Sequence, residues 1–275
     1  MNNKIAINGV TYHLEEAGTG DTLIVLHGFT GSTAQWQPFV DAWAQHFHVV
    51  LVDLLGHGQT DVPESASRYR LKHVRRDLLK LIDAVSDGPA HLLGYSMGGR
   101  IALYMAVNHP NLFQSLILES ASPGLESAED RQQRVESDTA LAQRIQNEGI
   151  EAFVNFWESI PLWASQSSLA ADTLAAQRSQ RLANNPVGLA NSLLGMGTGV
   201  QPSLWHQLAN LSLPTLLICG ALDTKFTAIN QRMNDLLPQS QLVIVPDAGH
   251  NVHLEQPEVF AKQIETFLIS SPENT

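Results

Sequence analysis

The chain has 275 residues and a formal net charge of −11, with 44% hydrophobic and 16% charged residues. This much apolar material excludes an intrinsically disordered chain, and the acidic charge, without a long run of Lys or Arg, argues against nucleic acid and anionic membranes as partners. The single cysteine, Cys219, lies in an apolar run, which excludes an internal disulfide and predicts a buried small side chain in a reducing compartment.

The N-terminal residues do not show the apolar stretch of a signal peptide, and no apolar run is long enough for a membrane-spanning helix. We therefore expect a cytoplasmic protein. The residues that follow alternate short apolar runs with helical patterns, with helices predicted after Ser32, Val74 and Gly98. The strands predicted in this half are residues 4–7, 11–15, 22–26, 48–52, 91–94 and 114–118. Such an alternation predicts a mostly parallel sheet with helices on both faces.

The middle of the chain has a different pattern. Residues 122–205 look helical and contain no convincing strand, whereas strand patterns return at 215–219 and 241–245 and a final amphipathic helix is predicted over 257–269. We therefore predict an α/β core formed by residues 1–121 and 206–275, with an all-helical cap inserted at 122–205. The tail 270–275 is expected to be frayed.

The strongest local motif is Gly94-Tyr95-Ser96-Met97-Gly98, which lies between an apolar strand pattern and a helical stretch. It fits the G-x-S-x-G nucleophile elbow of the α/β-hydrolase fold, with Ser96 as the reactive hydroxyl; the alternative is an ordinary glycine-rich turn. The N–H of Met97 is the expected oxyanion donor. The N–H of Phe29, after an early strand, is the second candidate, while His27 beside it is expected to be structural.

The chain order of this fold, serine then acid then histidine, selects the remaining catalytic candidates. His250 follows the last apolar strand, whereas His253 is expected to pack or to line the substrate site. Asp223 follows another strand at the same sheet edge and is favoured over Asp247, which is too close to His250 to reach around its ring. Asp53 is interpreted as part of a structural turn. No cofactor is implied, and a metal site at the two histidines is rejected for want of further ligands.

The predicted cap holds five arginines and no lysine, and Arg100 adds a cation beside the elbow. Arginine without lysine indicates recognition of carboxylates, although each of these side chains could equally be a solvated surface residue. The cap arginines are Arg131, Arg134, Arg144, Arg178 and Arg181.

Four segments together are more specific than the fold alone. They are Gly94-Tyr95-Ser96-Met97-Gly98-Gly99-Arg100, Glu119-Ser120-Ala121-Ser122-Pro123-Gly124-Leu125, Asp223-Thr224-Lys225-Phe226 and Gly249-His250-Asn251-Val252-His253. With these segments the sequence resembles the 2-succinyl-6-hydroxy-2,4-cyclohexadiene-1-carboxylate synthases of menaquinone biosynthesis, and the resemblance covers essentially the whole chain.

The resemblance implies a lyase that eliminates pyruvate from 2-succinyl-5-enolpyruvyl-6-hydroxy-3-cyclohexene-1-carboxylate, a small-molecule tricarboxylate. Ser96 would act as the base, activated by His250 and Asp223, with the amides of Phe29 and Met97 holding the enolate oxygen. The substrate site implied by the resemblance consists of Tyr95, Arg100, Arg134, Trp157, Arg181 and Lys225. The sequence leaves open whether Arg178 takes the place of Arg181, and whether Arg131 takes that of Arg134.

Two other functions fit the same motifs. A carboxylesterase or carbon–carbon bond hydrolase would use the same Ser96, either to form an acyl-enzyme or to activate water. A ligand-binding receptor on this fold would need no turnover, because fold alone does not decide function. The arginine-rich cap disfavours a neutral ester, and the complete Ser, Asp and His set disfavours a receptor. The sequence leaves the oligomeric state open.

Overall fold

A computed structural model describes residues 2–270 of the chain. It contains one eight-stranded sheet with the order β1-β2-β4-β3-β5-β6-β7-β8. The pairs β1–β2 and β2–β4 are antiparallel, and all the other pairs are parallel. The strands are β1 (Asn2–Ile7), β2 (Val10–Ala17), β3 (Thr22–Leu26), β4 (His48–Val52), β5 (Ala90–Tyr95), β6 (Phe113–Glu119), β7 (Thr215–Gly220) and β8 (Ser240–Val245). All eight predicted strands are present.

The helices fill the connections between the strands. They are α1 (Gln37–Trp43), α2 (Leu71–Val85), α3 (Met97–Asn108), α4 (Ala128–Ser159), α5 (Ala171–Leu182), α6 (Pro186–Met196), α7 (Thr224–Leu236), α8 (Val252–Glu255) and α9 (Pro257–Ser270). Short 3-10 segments precede several of them, including Thr33–Trp36 before α1. No helix in the described part of the chain is long and apolar enough to cross a membrane.

The central strands of the sheet are buried on both faces, and their alternate residues enter two separate hydrophobic clusters. In β3, Ile24 and Leu26 pack into a cluster with α2 and α3, whereas Leu23 and Val25 face a cluster with α1 and α9. This explains why the central strands read as continuous apolar runs. Cys219 in β7 is buried as predicted, and burial raises the pKa of its thiol to about 11.

The helices differ from the predicted pattern in two places. Helix α2 begins at Leu71, before the predicted start after Val74. Helix α7 was not predicted, although Phe226, Ile229 and Met233 recur at helical spacing and Asp223 caps the helix by accepting the N–H of Phe226.

Residues 122–205 contain α4, α5, α6 and 3-10 turns, and no strand occurs among them in the structure. They have a hydrophobic cluster of their own, in which Phe153 and Ile145 of α4 pack with Leu189 of α6. This separate cluster supports our proposed division into an α/β core and a helical cap. Residues 271–275, which hold most of the tail expected to fray, lie outside the described residues.

The chain reverses direction across the sheet between β3 and β5. From β3 it passes to β4 on one side, and it then returns to β5 on the other side. The carboxyl ends of two such strands leave a crevice between them, where open α/β sheets bind their ligands. The loop after β3 and the elbow after β5 both begin at this crevice.

Candidate active site

Ser96 occupies a sharp turn between β5 and α3. Its backbone has φ 50° and ψ −106°, outside the favoured regions for a residue with a side chain. The turn is held by the N–H of Ser96, which donates to the carbonyl oxygen of Glu119 at 2.8 Å. The strain therefore presents the hydroxyl at the carboxyl end of β5, as the motif predicted.

Two glycines of the motif are required by close backbone contacts. A Cβ atom at Gly98 would lie 2.4 Å from the carbonyl oxygen of Leu26, and one at Gly94 would lie 2.5 Å from the carbonyl oxygen of Gly98. Because these neighbours are backbone atoms, a side chain could be accepted only by moving α3 away from the sheet. The glycines thus let α3 begin directly behind Ser96.

The three predicted catalytic side chains meet in one hydrogen-bonded chain. The Ser96 Oγ lies 3.0 Å from the His250 Nε2, and the His250 Nδ1 lies 2.8 Å from the Asp223 Oδ2. The histidine is almost completely buried, and the ring of Phe226 packs against it edge-on at 4.5 Å. With a proton on Nδ1, the imidazole donates to the carboxylate and accepts from the serine.

The carboxylate of Asp223 is held in its charged form. Burial raises the pKa of this carboxyl, but the hydrogen bond and charge of His250, the N–H of Phe226 and the nearby Lys225 together outweigh it, so that the net pKa is lowered. Asp223 is therefore charged at neutral pH and can stabilise a positive charge on the imidazole.

His253 and Asp53 have structural contacts. The Nδ1 of His253 lies 2.7 Å from the buried carboxylate of Glu119, and its ring packs on Trp36 with 4.4 Å between centroids. Asp53 accepts the N–H of Thr33 at 2.7 Å and that of Gln59 at 2.8 Å, so it ties together two loops at the sheet edge. Neither side chain takes part in the Ser96–His250–Asp223 chain.

The loop after β3 brings Phe29 to the same place. His27 fixes this loop, since its Nδ1 lies 2.7 Å from the carbonyl oxygen of Gly28 and its Nε2 accepts the N–H of Leu54 at 3.0 Å. Burial lowers the pKa of His27 to about 4, so it is neutral at physiological pH. Met97 is the first residue of α3, and its N–H has no acceptor within the helix. Both Phe29 and Met97 line the cavity at Ser96.

A cavity of about 330 Å³ lies over Ser96 between the sheet and the helices of residues 122–205. Most of the predicted site residues are in its wall. These are Phe29, Tyr95, Ser96, Met97, Arg100, Arg134, Trp157, Lys225 and His250. Asp223 lies behind His250, and Arg181 is the one predicted substrate residue that the structure places elsewhere.

Three of the lining side chains are cationic. Arg100 donates to the carbonyl oxygen of Met196 at 2.9 Å and to Gln201 at 2.8 Å, and burial together with the neighbouring Arg134 lowers its pKa to about 10, so it stays charged. Arg134 is paired through its Nε with Asp138 at 2.7 Å. With Lys225, these groups make the cavity suited to an anion that carries several carboxylates.

The five arginines of the cap do not gather at the cavity, because four of them lie outside its wall. Arg131 donates to the carbonyl oxygens of Leu125 and Glu126, and Arg144 pairs with Glu148 on the surface. Arg178 pairs with Glu158. Of Arg131 and Arg134, it is Arg134 that lines the cavity.

Arg181 lies in a neighbouring cavity, beyond a wall formed by Phe29, Tyr95 and Trp163. Its buried guanidinium is paired with Glu158 at 3.2 Å and lies over the ring of Trp163. The sequence could not reveal this location, because α5 carries the side chain and the packing of that helix decides which cavity it enters.

Two aromatic residues that were not predicted as site residues, Trp163 and Phe226, also line the cavity. Trp163 contacts the rings of both His250 and Trp157, with centroid distances of 5.9 Å. The indole N–H groups of Trp157 and Trp163 are buried without a hydrogen-bond partner among residues 2–270. The sequence gives no signal for Trp163, because its position in the chain does not show that it lies close to the histidine.

Among residues 2–270, no three His, Cys, Asp or Glu side chains are grouped so that they could hold a metal ion.

The strand order, the elbow and the Ser–His–Asp geometry define an enzyme on an α/β-hydrolase scaffold. In agreement, a family model described as the alpha/beta hydrolase fold matches residues 21–257.

Among curated proteins, a Bacillus subtilis (strain 168) protein is 45% identical over 96% of both chains, and its name assigns it provisionally as a 2-succinyl-6-hydroxy-2,4-cyclohexadiene-1-carboxylate synthase. The synthase of that name from Serratia proteamaculans (strain 568) is 33% identical over 90% of this chain and 93% of its own. The solved structure of MenH from S. aureus superposes with a TM-score of 0.91 at 34% identity, covering 94% of this chain and 98% of the other. The chain therefore belongs to the 2-succinyl-6-hydroxy-2,4-cyclohexadiene-1-carboxylate synthase family.

Proposed function

We propose that this enzyme eliminates pyruvate from 2-succinyl-5-enolpyruvyl-6-hydroxy-3-cyclohexene-1-carboxylate, giving 2-succinyl-6-hydroxy-2,4-cyclohexadiene-1-carboxylate. The observation that carries the proposal is the joint presence of three cationic side chains and the Ser96–His250 pair in one cavity. The substrate has three carboxylates, and a ketone next to the carbon that must lose a proton. The cavity offers cations for the former and an oxyanion site for the latter.

The reaction is a proton abstraction followed by loss of a leaving group. The proton at ring carbon 2 is removed, a double bond forms between carbons 2 and 3, and the existing double bond moves to carbons 4 and 5. The bond between carbon 5 and the enolpyruvyl oxygen breaks, and its electron pair leaves with the oxygen. The resulting enolate of pyruvate takes up one proton and is released as pyruvate.

Ser96 is the proposed base. Its Oγ takes the carbon 2 proton while its own proton passes to the Nε2 of His250, 3.0 Å away. The charged Asp223 stabilises the imidazolium that forms, which then returns its proton to the departing enolate. The amides of Phe29 and Met97 are the proposed donors to the enolate oxygen of the succinyl ketone. No acyl-enzyme forms, because no bond is made between Ser96 and the substrate.

The proposed substrate contacts are Tyr95, Arg100, Arg134, Trp157 and Lys225. Arg181 is left out of this set because its guanidinium lies in the neighbouring cavity. A neutral ester would gain nothing from the buried Arg100 and would leave its charge uncompensated, which supports the lyase over an esterase. We further propose that the enzyme acts on this small molecule in the cytoplasm. We expect neither nucleic acid nor a membrane as a partner, because a net charge of −11 disfavours binding to both kinds of anionic surface.

The test is pyruvate release from the enolpyruvyl substrate, generated in place from isochorismate and 2-oxoglutarate by the preceding synthase. Wild type should release pyruvate rapidly and Ser96→Ala should not. Ser137→Ala, which changes an exposed serine of α4, is the matched control and should behave as wild type. The lyase assignment fails if the wild type releases pyruvate no faster than the enzyme-free mixture while it cleaves a nitrophenyl ester readily.

A further inference from the structure

We infer that Glu255 is a positioning residue whose buried carboxylate fixes the backbone on both sides of His250. Its Oε2 accepts the N–H of Gly249 at 2.7 Å, and its Oε1 accepts the N–H of Asn251 at 3.3 Å. The residues immediately before and after the histidine are thus held by one side chain. The inference rests on the proposed role of His250 in the reaction.

The loop needs such support because the ring of His250 must satisfy two partners at once. Its two nitrogens face Ser96 and Asp223 from opposite sides, so a shift of the backbone weakens both hydrogen bonds. The loop is also tightly packed, since a Cβ atom at Gly249 would lie 2.1 Å from the Oγ of Ser165. The backbone at this point has little space, and a buried acceptor for its N–H groups determines where it lies.

A helix cap does not account for these contacts. Helix α8 has four residues, and its N-cap is Asn251, whose side chain accepts the N–H of Leu254 at 3.2 Å. A glutamate near the start of a helix can also accept the backbone N–H of the N-cap residue. In α8 that is the contact with Asn251, the longer of the two contacts of Glu255. The shorter contact goes to Gly249, which lies outside the helix and before His250. The carboxylate therefore holds the catalytic loop as well as the helix.

The helix that carries Glu255 is itself anchored to the sheet. Glu119, at the end of β6, accepts the backbone N–H of His253 at 3.0 Å and lies 2.7 Å from its ring Nδ1. Those two contacts use the carboxylate of Glu119, and its backbone carbonyl oxygen accepts the N–H of Ser96. Glu119 therefore links the elbow to α8, and Glu255 links α8 to the loop of His250. Through these contacts the serine and the histidine are fixed to one frame.

The variant that tests this is Glu255→Gln, which keeps the size of the side chain. A neutral amide can accept only one of the two N–H groups, and its own NH₂ then faces the other. We expect kcat for pyruvate release, per mole of folded enzyme, to fall about 10- to 100-fold with KM nearly unchanged, as for a misplaced catalytic group. Glu258→Gln, an exposed glutamate one turn further on, is the matched control and should retain wild-type values.

Two NMR measurements test the inference: the first checks the backbone contacts of Glu255, and the second is a readout that a purely structural role would not move. In the wild type, the amides of Gly249 and Asn251 should exchange slowly with solvent. The Nδ1 proton of His250 in its bond to Asp223, identified by its loss in His250→Ala, should exchange faster in Glu255→Gln. The inference is overturned if the variant keeps its kcat and this resonance, however far its Tm falls, or if the two wild-type amides exchange like exposed ones. If the wild type releases no pyruvate, the proposed function fails, while the NMR results still decide the role of Glu255.

Discussion

Replacing Asp223 by asparagine should inactivate the enzyme while leaving it folded. The side chain has two separate duties, because its Oδ2 lies 2.8 Å from the His250 Nδ1 and its Oδ1 accepts the N–H of Phe226 at 3.1 Å. An aspartate can accept both hydrogens, whereas an asparagine has one oxygen and one NH₂ group. The variant must therefore give up one of the two contacts.

Each orientation of the amide has its own cost. If the oxygen faces Phe226, the NH₂ faces His250 and forces its proton onto Nε2, so that the ring can no longer accept the proton of Ser96. If the oxygen faces His250, the cap of α7 is lost at a cost of about 1 kcal/mol and the imidazolium has no anionic partner. In both cases we expect kcat to fall on the order of 10²- to 10⁴-fold, and the Tm to fall by no more than about 2–4 °C.

The assay is pyruvate release coupled to lactate dehydrogenase, with the Tm measured on the same samples. Asp223→Ala is the comparison, since it loses both contacts and should be less stable than the asparagine variant with a similar loss of kcat. A folded Asp223→Asn enzyme with kcat close to that of wild type would refute the reasoning, because the carboxylate would then have no part in orienting His250.

Two further predictions follow from the charges of the molecule. Arg134→Ala should lower kcat/KM about 10- to 100-fold, because a charge-assisted contact with a substrate carboxylate contributes about 1.5–3 kcal/mol. Arg131 lies outside the cavity wall, so Arg131→Ala should leave kcat/KM unchanged. Steady-state kinetics on both variants decides between the two arginines. Burial, and next His27, lower the pKa of His57 from its usual 6.5 to about 3. The unfolded chain then binds more protons below pH 6.5, so this contribution to stability is complete above that pH and is lost as the pH falls toward 3. The free energy of unfolding is measured by urea denaturation at pH 7 and at pH 5. Between these pH values the wild type and the exposed control His46→Asn should each lose about 2 kcal/mol more than His57→Asn. Equal losses in all three proteins would contradict the prediction.

The fold and the catalytic chain could be predicted from local patterns. The central strands are short apolar runs with turns after them, and their burial on both faces makes such runs stand out. The elbow is just as local in the sequence, because Gly94, Ser96 and Gly98 form one short motif between a strand pattern and a helical stretch. His250 and Asp223 could be chosen because parallel strands place their carboxyl ends at one edge, so chain order alone put the side chains together.

Helix α7 and the cap arginines show what tertiary structure added. The apolar spacing of α7 is present in the sequence, but its polar composition concealed it. Arg134 and Arg181 look alike in the sequence, and only the packing of α4 and α5 directs one into the cavity of Ser96 and the other behind Trp163. The direction of a helical side chain depends on the rotation of its helix against its neighbours, which no local pattern records.

The contacts of Glu255 with Gly249 and Asn251 are likewise visible only in the tertiary structure. The sequence by itself determined the sheet, the strained serine and the order of the catalytic groups, because those follow from periodicity, the glycine motif of the elbow and strand direction. Only the tertiary structure decided which charges line the cavity and which side chain holds the histidine loop, because both depend on how separate segments meet in space.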